Sequence, residues 1–283
     1  MSTPEAPRQL AEFSNEDGFR FEGRSSSSSG IRDQIKILDL NNARRGVRSL
    51  KEWALFRLAP ESGHRALDIG AGTGEDTVAL AERVGPGGSA TGVEPANGLR
   101  KEARRRAGDR HPGVEFVDGD TRTLPYGEGH FDVIRCERVL QHIANPEEAV
   151  REMVRVLRPG GRIVLIDTDW STSTLHPGRP DLVRRVLGAL SAPLANPESG
   201  RQLRGLLVRA GIEISDVHAS TWIDDGDAGL RGTAAAIPER ALKAGAITRE
   251  EADQLSREFS ESSRAGTFFR STTMFAVCGV RRT

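Results

Sequence analysis

Arg65-Ala66-Leu67-Asp68-Ile69-Gly70-Ala71-Gly72-Thr73-Gly74-Glu75 decides how the rest of the chain is read. A short apolar run ends at Asp68, and glycines follow at every second position. A helical pattern starts at Glu75. This is a strand, a tight turn and a helix N-terminus. Glycine is required where the backbone takes φ > 0 or where a ligand approaches the main chain closely. The helix start adds free N–H groups and a partial positive charge. Such a turn forms a nucleotide-sized crevice at the carboxyl end of a strand. The spacing departs from G-x-G-x-x-G: the third glycine comes one residue early, and a carboxylate precedes the first by two.

Downstream, strands and helices alternate. Ala66–Ile69 reads as the first strand and Ala90–Glu94 as the second. Val114–Val117 is the third, Phe131–Ile134 the fourth and Arg162–Ile166 the fifth. Gly85-Pro86-Gly87-Gly88 and Arg158-Pro159-Gly160-Gly161 punctuate the rhythm. Asn145-Pro146-Glu147-Glu148 starts a helix, with a capping residue, a first-turn proline and acids facing the dipole. The rhythm argues for a parallel sheet with helices on both faces. Upstream, Ile31 to about Leu58 reads as helical. One of Arg44, Arg45 and Arg48 is a candidate to reach the carboxylate of a bound amino-acid-like cofactor, with solvated surface charge as the competing reading. Beyond Trp170 come helices around 181–190 and 202–210, a strand over 212–219 and a last strand over 272–280. Thr248 with Glu251 is a capping box.

Composition narrows the partner. Lys+Arg and Asp+Glu both number 40, so the net charge is zero, whereas proteins gripping a phosphate backbone usually carry a basic excess. The run Gly98–Arg106 is locally basic and reads as a solvated helix face. Cys136 and Cys278 form neither a disulfide framework nor a zinc spacing, so no metal is expected. No apolar run approaches a membrane span. A reduced, cytoplasmic protein is expected, a monomer or homodimer, with a small-molecule partner and neither nucleic acid nor membrane. Residues 1–30 are polar with a serine run, and read as a disordered tail or as a flap bearing Phe13, Phe19 and Phe21.

Three carboxylates take matching places: Asp68, Glu94 and Asp120 end strands or begin the loops after them. In a doubly wound sheet those ends line one crevice. Glu94, twenty residues past Gly74, suits ribose hydroxyls, and Asp120 with Thr121 suits an adenine amino group.

The ordered set resembles class I S-adenosylmethionine (SAM)-dependent methyltransferases, in the flavour of ubiquinone/menaquinone-biosynthesis-type and small-molecule enzymes. It is carried by Leu67–Glu75, Gly92-Val93-Glu94-Pro95, Val117-Asp118-Gly119-Asp120, Phe131-Asp132-Val133-Ile134 and Arg155–Gly161, across residues 60–170. The resemblance implies a Rossmann-like, doubly wound α/β fold with a seven-stranded sheet whose last strand is antiparallel. It implies that Gly70 and Gly72 hold the methionine part of SAM, Glu94 with Pro95 the ribose, and Asp120 with Thr121 the adenine. Cys136 would lie beside the sulfonium. Glu94-Pro95 departs from the more usual Asp and small polar residue, but a longer carboxylate still reaches the ribose. The methyltransferase domain would span 31–283, with helical lid insertions at about 171–210 and 222–270. Phe268, Phe269 and Trp222 are candidates to line the acceptor pocket.

Methyl transfer is an in-line displacement driven largely by alignment and water exclusion. A base is needed only if the acceptor keeps its proton at neutral pH. Candidates are Glu137 and His142 after strand 4, and Asp167, Asp169 and His176 after strand 5. His142 is expected to share a helical face with Arg138, and a structural hydrogen-bonding role is its competing reading. Trp170 is a candidate for stacking an acceptor or walling its pocket. Other functions compatible with the residues are methylation of protein or nucleic acid on the same fold, and SAM binding without catalysis.

Overall fold

The computed structural model describes residues 28–111, 113–224 and 235–282, so most of the expected N-terminal tail lies outside the described residues. The elements run α1 (Ser28–Asn42), α2 (Arg45–Leu58), β1 (Arg65–Ile69), α3 (Glu75–Val84), β2 (Ser89–Val93), α4 (Asn97–Ala107), β3 (Val114–Val117) and β4 (Phe131–Glu137). They continue with α5 (Pro146–Val156), β5 (Leu157–His176), α6 (Pro180–Ser191), α7 (Ser199–Arg209) and β6 (Ile212–Asp224). The described chain ends with α8 (Ile237–Lys243), α9 (Arg249–Ala265) and β7 (Phe269–Arg281).

The seven strands form one sheet in the order β3-β2-β1-β4-β5-β7-β6. Neighbours from β3 to β5 are parallel, and β7 runs antiparallel to both β5 and β6. The order reverses between β1 and β4, where open α/β sheets place their ligands. Near-continuous apolar strands need cover on both faces. Ala149, Val150, Met153 of α5 and Leu203, Leu206, Leu207 of α7 cover one face. Val47, Leu50, Ala54, Leu58 of α2 and Leu80, Val84 of α3 cover the other. Beside α3, Ala103 of α4 packs on Phe116 of β3.

Three features differ from the sequence expectation. The single helix expected from Ile31 to Leu58 is two, because Arg44 takes an extended conformation ahead of α2. β5 is 20 residues long, not five. Its far half pairs with the start of β7 beyond a register shift between Asp169 and Thr174, and β6 pairs with β7 along the same stretch, so these strands extend past the parallel part of the sheet. The stretch 171–210 also divides. Helix α7 belongs to the sheet, whereas α6 joins α8 and α9 in a separate apolar cluster with Leu175 and Phe268. Through Leu175 and Phe268 that helical cap sits against the extended ends of β5 and β7. The Thr248–Glu251 capping box is formed at the start of α9, with bonds of 3.2 and 2.9 Å.

Candidate cofactor site and acceptor cleft

The glycine turn is held from behind. Gly70 and Ala71 donate their amides to the Val93 carbonyl at 2.8 and 3.0 Å, and Gly74 donates to Ala71 at 2.8 Å. Gly70 has φ +75°, and a Cβ there would stand 2.2 Å from Cγ2 of Val139. Gly74, at φ +85°, would meet the Phe116 ring at 2.6 Å. Both glycines are therefore demanded by backbone conformation and by close packing.

Glu94 joins this turn to its neighbour. One carboxylate oxygen accepts the Gly72 amide at 3.0 Å and the other accepts the Ala96 amide at 2.9 Å. A carboxylate has about four lone-pair sites, so two remain for hydroxyl donors. Burial pushes the Glu94 carboxyl up, against the lowering effect of those two amides and Arg100. Arg100 is a residue that sequence reasoning missed. It lies in the run read as a solvated face, yet it is buried. Its guanidinium donates to the carbonyls of Glu94 and Pro95 at 2.6 and 2.7 Å and to Asp118 at 3.1 Å. It thereby ties the end of β2 to the loop after β3. In that loop Asp120 is gripped by Arg122, with bonds of 2.6 and 3.1 Å and an amide bond of 2.8 Å. Burial opposes ionisation there, but the Arg122 contacts hold the Asp120 carboxyl below its ordinary range. Thr121 is half-buried beside it, and Pro95 is exposed.

Two expected cofactor contacts have other work. Asp68 is 1% exposed, with one oxygen taking the Thr77 hydroxyl at 2.7 Å and the other Nη1 of Arg135 at 3.1 Å. It fixes the turn from below instead of facing the cleft. Cys136 packs in the apolar cluster with Leu67, Ile69 and Leu165, a buried thiol whose pKa burial raises. The residues that emerge at the end of β4 are Glu137 and Arg138.

Beneath the turn runs a buried charge network. Arg135 pairs with Asp68, Asp76 and Glu137, and Lys51 of α2 bonds to Asp76. Glu137 also pairs with Arg138 at 2.9 Å. Burial opposes its ionisation, but Arg135, Lys51 and Arg138 hold its carboxyl down at about 2. A carboxylate so stabilised is a poor proton acceptor, and these ion pairs give Glu137 a structural role. Asp169 is likewise engaged, by Arg201, the Ser171 amide and the Ser171 hydroxyl. It anchors the start of α7 to the bulge in β5. His142 does not share a helical face with Arg138. Arg138 takes φ 55° directly after β4, and His142 lies in the short 3-10 turn Leu140–His142.

Around that turn the cleft is rigid. Gln141 donates its amide to Asp167 at 2.9 Å and accepts the Trp170 indole N–H at 2.8 Å. Asp167 also takes the Ser199 hydroxyl at 3.0 Å. Burial pushes the Asp167 carboxyl up to about 7 against these donors. His176 is exposed at the end of β5. From the other side, Arg138 donates to Asn42 of α1 at 2.8 Å, and Asn42 donates to Glu75 at 2.7 Å. Leu38 of α1 lies over Gly72. A concavity of about 450 Å³ lined by Asp39, Asn42, Arg48, Thr73 and Arg106 opens behind the turn. It includes neither Glu94 nor Asp120, so it is a different place from the nucleoside side of the turn. Among the described residues no cluster has the makings of a metal site, and no helix is long and apolar enough to cross a membrane.

Residues 67–165 match the family model described as a methyltransferase domain. The chain belongs to the class I SAM-dependent methyltransferases. It is 34% identical over 284 aligned positions to an uncharacterized 37.1 kDa protein in transposon TN4556 of Streptomyces fradiae, covering 96% of this chain and 78% of that protein. It is 35% identical over 116 positions to the ubiquinone/menaquinone biosynthesis C-methyltransferase UbiE of Pseudomonas putida strain GB-1. That match covers 40% of this methyltransferase and 45% of UbiE, so it spans about half the length of that relative. In fold it is similar to the YcgJ protein from Bacillus subtilis, with a TM-score of 0.59 and 19% identity over 83% of this chain and 99% of that one. The matched span holds the glycine turn, Glu94, Asp120 and the Arg135–Glu137 pair. The helical cap and the β6–β7 edge lie outside it.

Proposed function

We propose that this methyltransferase binds SAM across the ends of β1, β2 and β3 and moves its methyl group to a small organic acceptor, through O, N or C. The observation that carries the reading is Glu94: it bridges the glycine turn and the start of α4 and keeps two acceptor sites for ribose hydroxyls. The residues fit the group, since Gly72 has φ +55° and a Cβ there would meet nothing nearer than Leu38 at 3.5 Å. Gly70 and Gly72 would hold the amino-acid portion, Glu94 the ribose, and Asp120 with Thr121 the adenine. When bound, SAM supplies a sulfonium-activated methyl group.

The protein's own contribution is alignment and dryness. Glu137 and Asp169 are engaged in ion pairs, and Asp167 is fully buried. That leaves His142 as the candidate base, and the chemistry then favours an acceptor that arrives already nucleophilic. Ordering two reactants in a near-attack arrangement is worth about 7–11 kcal/mol. A neutral overall charge supports a small molecule over nucleic acid or membrane. The test is labelled SAM with pools of candidate acceptors, read by mass spectrometry, alongside calorimetry with S-adenosylhomocysteine. Failure to bind S-adenosylhomocysteine at millimolar concentration would overturn the assignment.

A further inference from the structure

Two buried arginines near the carboxyl end of β6 carry N–H groups with no hydrogen-bond acceptor. Arg44, between α1 and α2, is 7% exposed, and Arg270, at the start of β7, is 8% exposed. Both lie on the ring of Trp222, at 4.0 and 5.1 Å from its centroid. Nε and Nη1 of Arg44 and Nε of Arg270 are buried with no hydrogen-bond acceptor. A buried N–H on a charged group left unsatisfied is destabilising, so such atoms call for an explanation.

The surroundings are electropositive. Asp224 is the buried carboxylate facing both guanidiniums, while Arg138 adds positive charge at Arg44 and Arg240 does so at Arg270. Burial lowers the pKa of Arg44. It lowers that of Arg270 to about 10, with Arg44 and Arg240 adding to the effect and Asp224 opposing it. A guanidinium keeps its proton in proteins, so both are cations. Helix α2 also starts at this point, without a side-chain cap. Gly46 lets its first turn close onto β6, since a Cβ there would be 3.0 Å from the Ser220 hydroxyl. A helix N-terminus reinforces an anion site.

Resting on the methyltransferase reading, we propose that Arg44, Arg270 and Trp222 form the oxyanion-binding end of the acceptor pocket, and that the acceptor carries a carboxylate or phosphate group. Position separates this end from the cofactor. β7 and β6 lie three and four strands from β1, about 14–19 Å at a spacing of about 4.8 Å. Arg138, bonded to Asn42 of α1, lies near enough to Arg44 to add to its positive surroundings and links the two regions. An acceptor spanning it would present its reactive end near β1 and β4 and its anion to the two guanidiniums. The indole in contact with both supplies an apolar wall, and planar guanidinium donors suit carboxylate and phosphate equally.

The test uses the full chain saturated with S-adenosylhomocysteine. Benzoate, phenyl phosphate and neutral benzyl alcohol are titrated by calorimetry and by tryptophan fluorescence. Benzoate or phenyl phosphate is expected to bind at least about tenfold more tightly than benzyl alcohol, and the preferred one reports which oxyanion the pocket takes. Arg270→Gln and Arg44→Gln should erase that preference while leaving S-adenosylhomocysteine affinity unchanged. Equal binding of anions and alcohol, no anion binding at millimolar concentration, or variants that keep the preference would each overturn the proposal. So would a parallel loss of S-adenosylhomocysteine affinity, which would place these arginines on the cofactor. If either variant fails to fold, the wild-type preference alone decides. Failure of S-adenosylhomocysteine to bind wild type is the distinct result that sinks the methyltransferase reading.

Discussion

Replacing Glu94 by alanine tests the centre of the cofactor assignment. Its carboxylate accepts two backbone amides, from Gly72 at 3.0 Å and Ala96 at 2.9 Å, and the residue is only 5% exposed. Truncation leaves both amides without that acceptor and removes the two sites assigned to the ribose. Hydrogen bonds to a charged group contribute about 1.5–3 kcal/mol each, so losing two to the ribose removes about 3–6 kcal/mol of binding. Since about 1.4 kcal/mol is tenfold, S-adenosylhomocysteine affinity should fall at least about a hundredfold. The melting temperature should fall as well, because the turn loses its tie to α4. Calorimetry and thermal unfolding of Glu94→Ala against wild type read both effects. The pH dependence is a second readout. Burial raises the Glu94 pKa, and the anion is the form that accepts two hydroxyls, so affinity should decline with falling pH starting above the ordinary glutamate range. An Ala variant that binds S-adenosylhomocysteine as wild type does, with an unchanged melting temperature, would refute the ribose assignment.

Gly70→Ala should lose S-adenosylhomocysteine binding, because its Cβ would stand 2.2 Å from Val139 at φ +75°; adding Val139→Ala relieves the clash but not the left-handed backbone, so calorimetry should show partial recovery at most. Asp167 has its folded pKa raised to about 7, so its favourable contribution is complete below the unfolded value of 3.8 and is lost as pH rises through about 7. Asp167→Asn should therefore flatten that part of the melting-temperature profile, and a mutant profile parallel to wild type would contradict the shift. Phe259→Ala removes a ring that is 2% exposed and 5.4 Å from the Phe268 ring in the cap. It should cost about 3–5 kcal/mol of cap stability. Hydrogen exchange should rise in α6, α8 and α9, with S-adenosylhomocysteine affinity retained.

The parts that could be read from the chain are those encoded by neighbours in sequence. Turn chemistry at Gly70, Gly72 and Gly74, the βαβ rhythm and the Thr248–Glu251 cap each depend on residues a few positions apart. Alternation of short apolar runs with glycine breaks then restricts the layers to a doubly wound sheet. Glu94 could be singled out because a carboxylate at a strand end needs only that strand's register to reach the crevice. Tertiary structure alone decided the rest, since burial brings together charges that sequence spacing cannot pair. Asp68 meets Arg135 across 67 residues, and Asn42 meets Arg138 across 96. Glu137 is thus clamped by Arg135 and Arg138, and Arg100 is a staple instead of surface charge. Trp222 became a platform for two guanidiniums from opposite ends of the chain. A cation removed from water is stabilised by whatever chain segment folds against it, and that partner is chosen by packing in space.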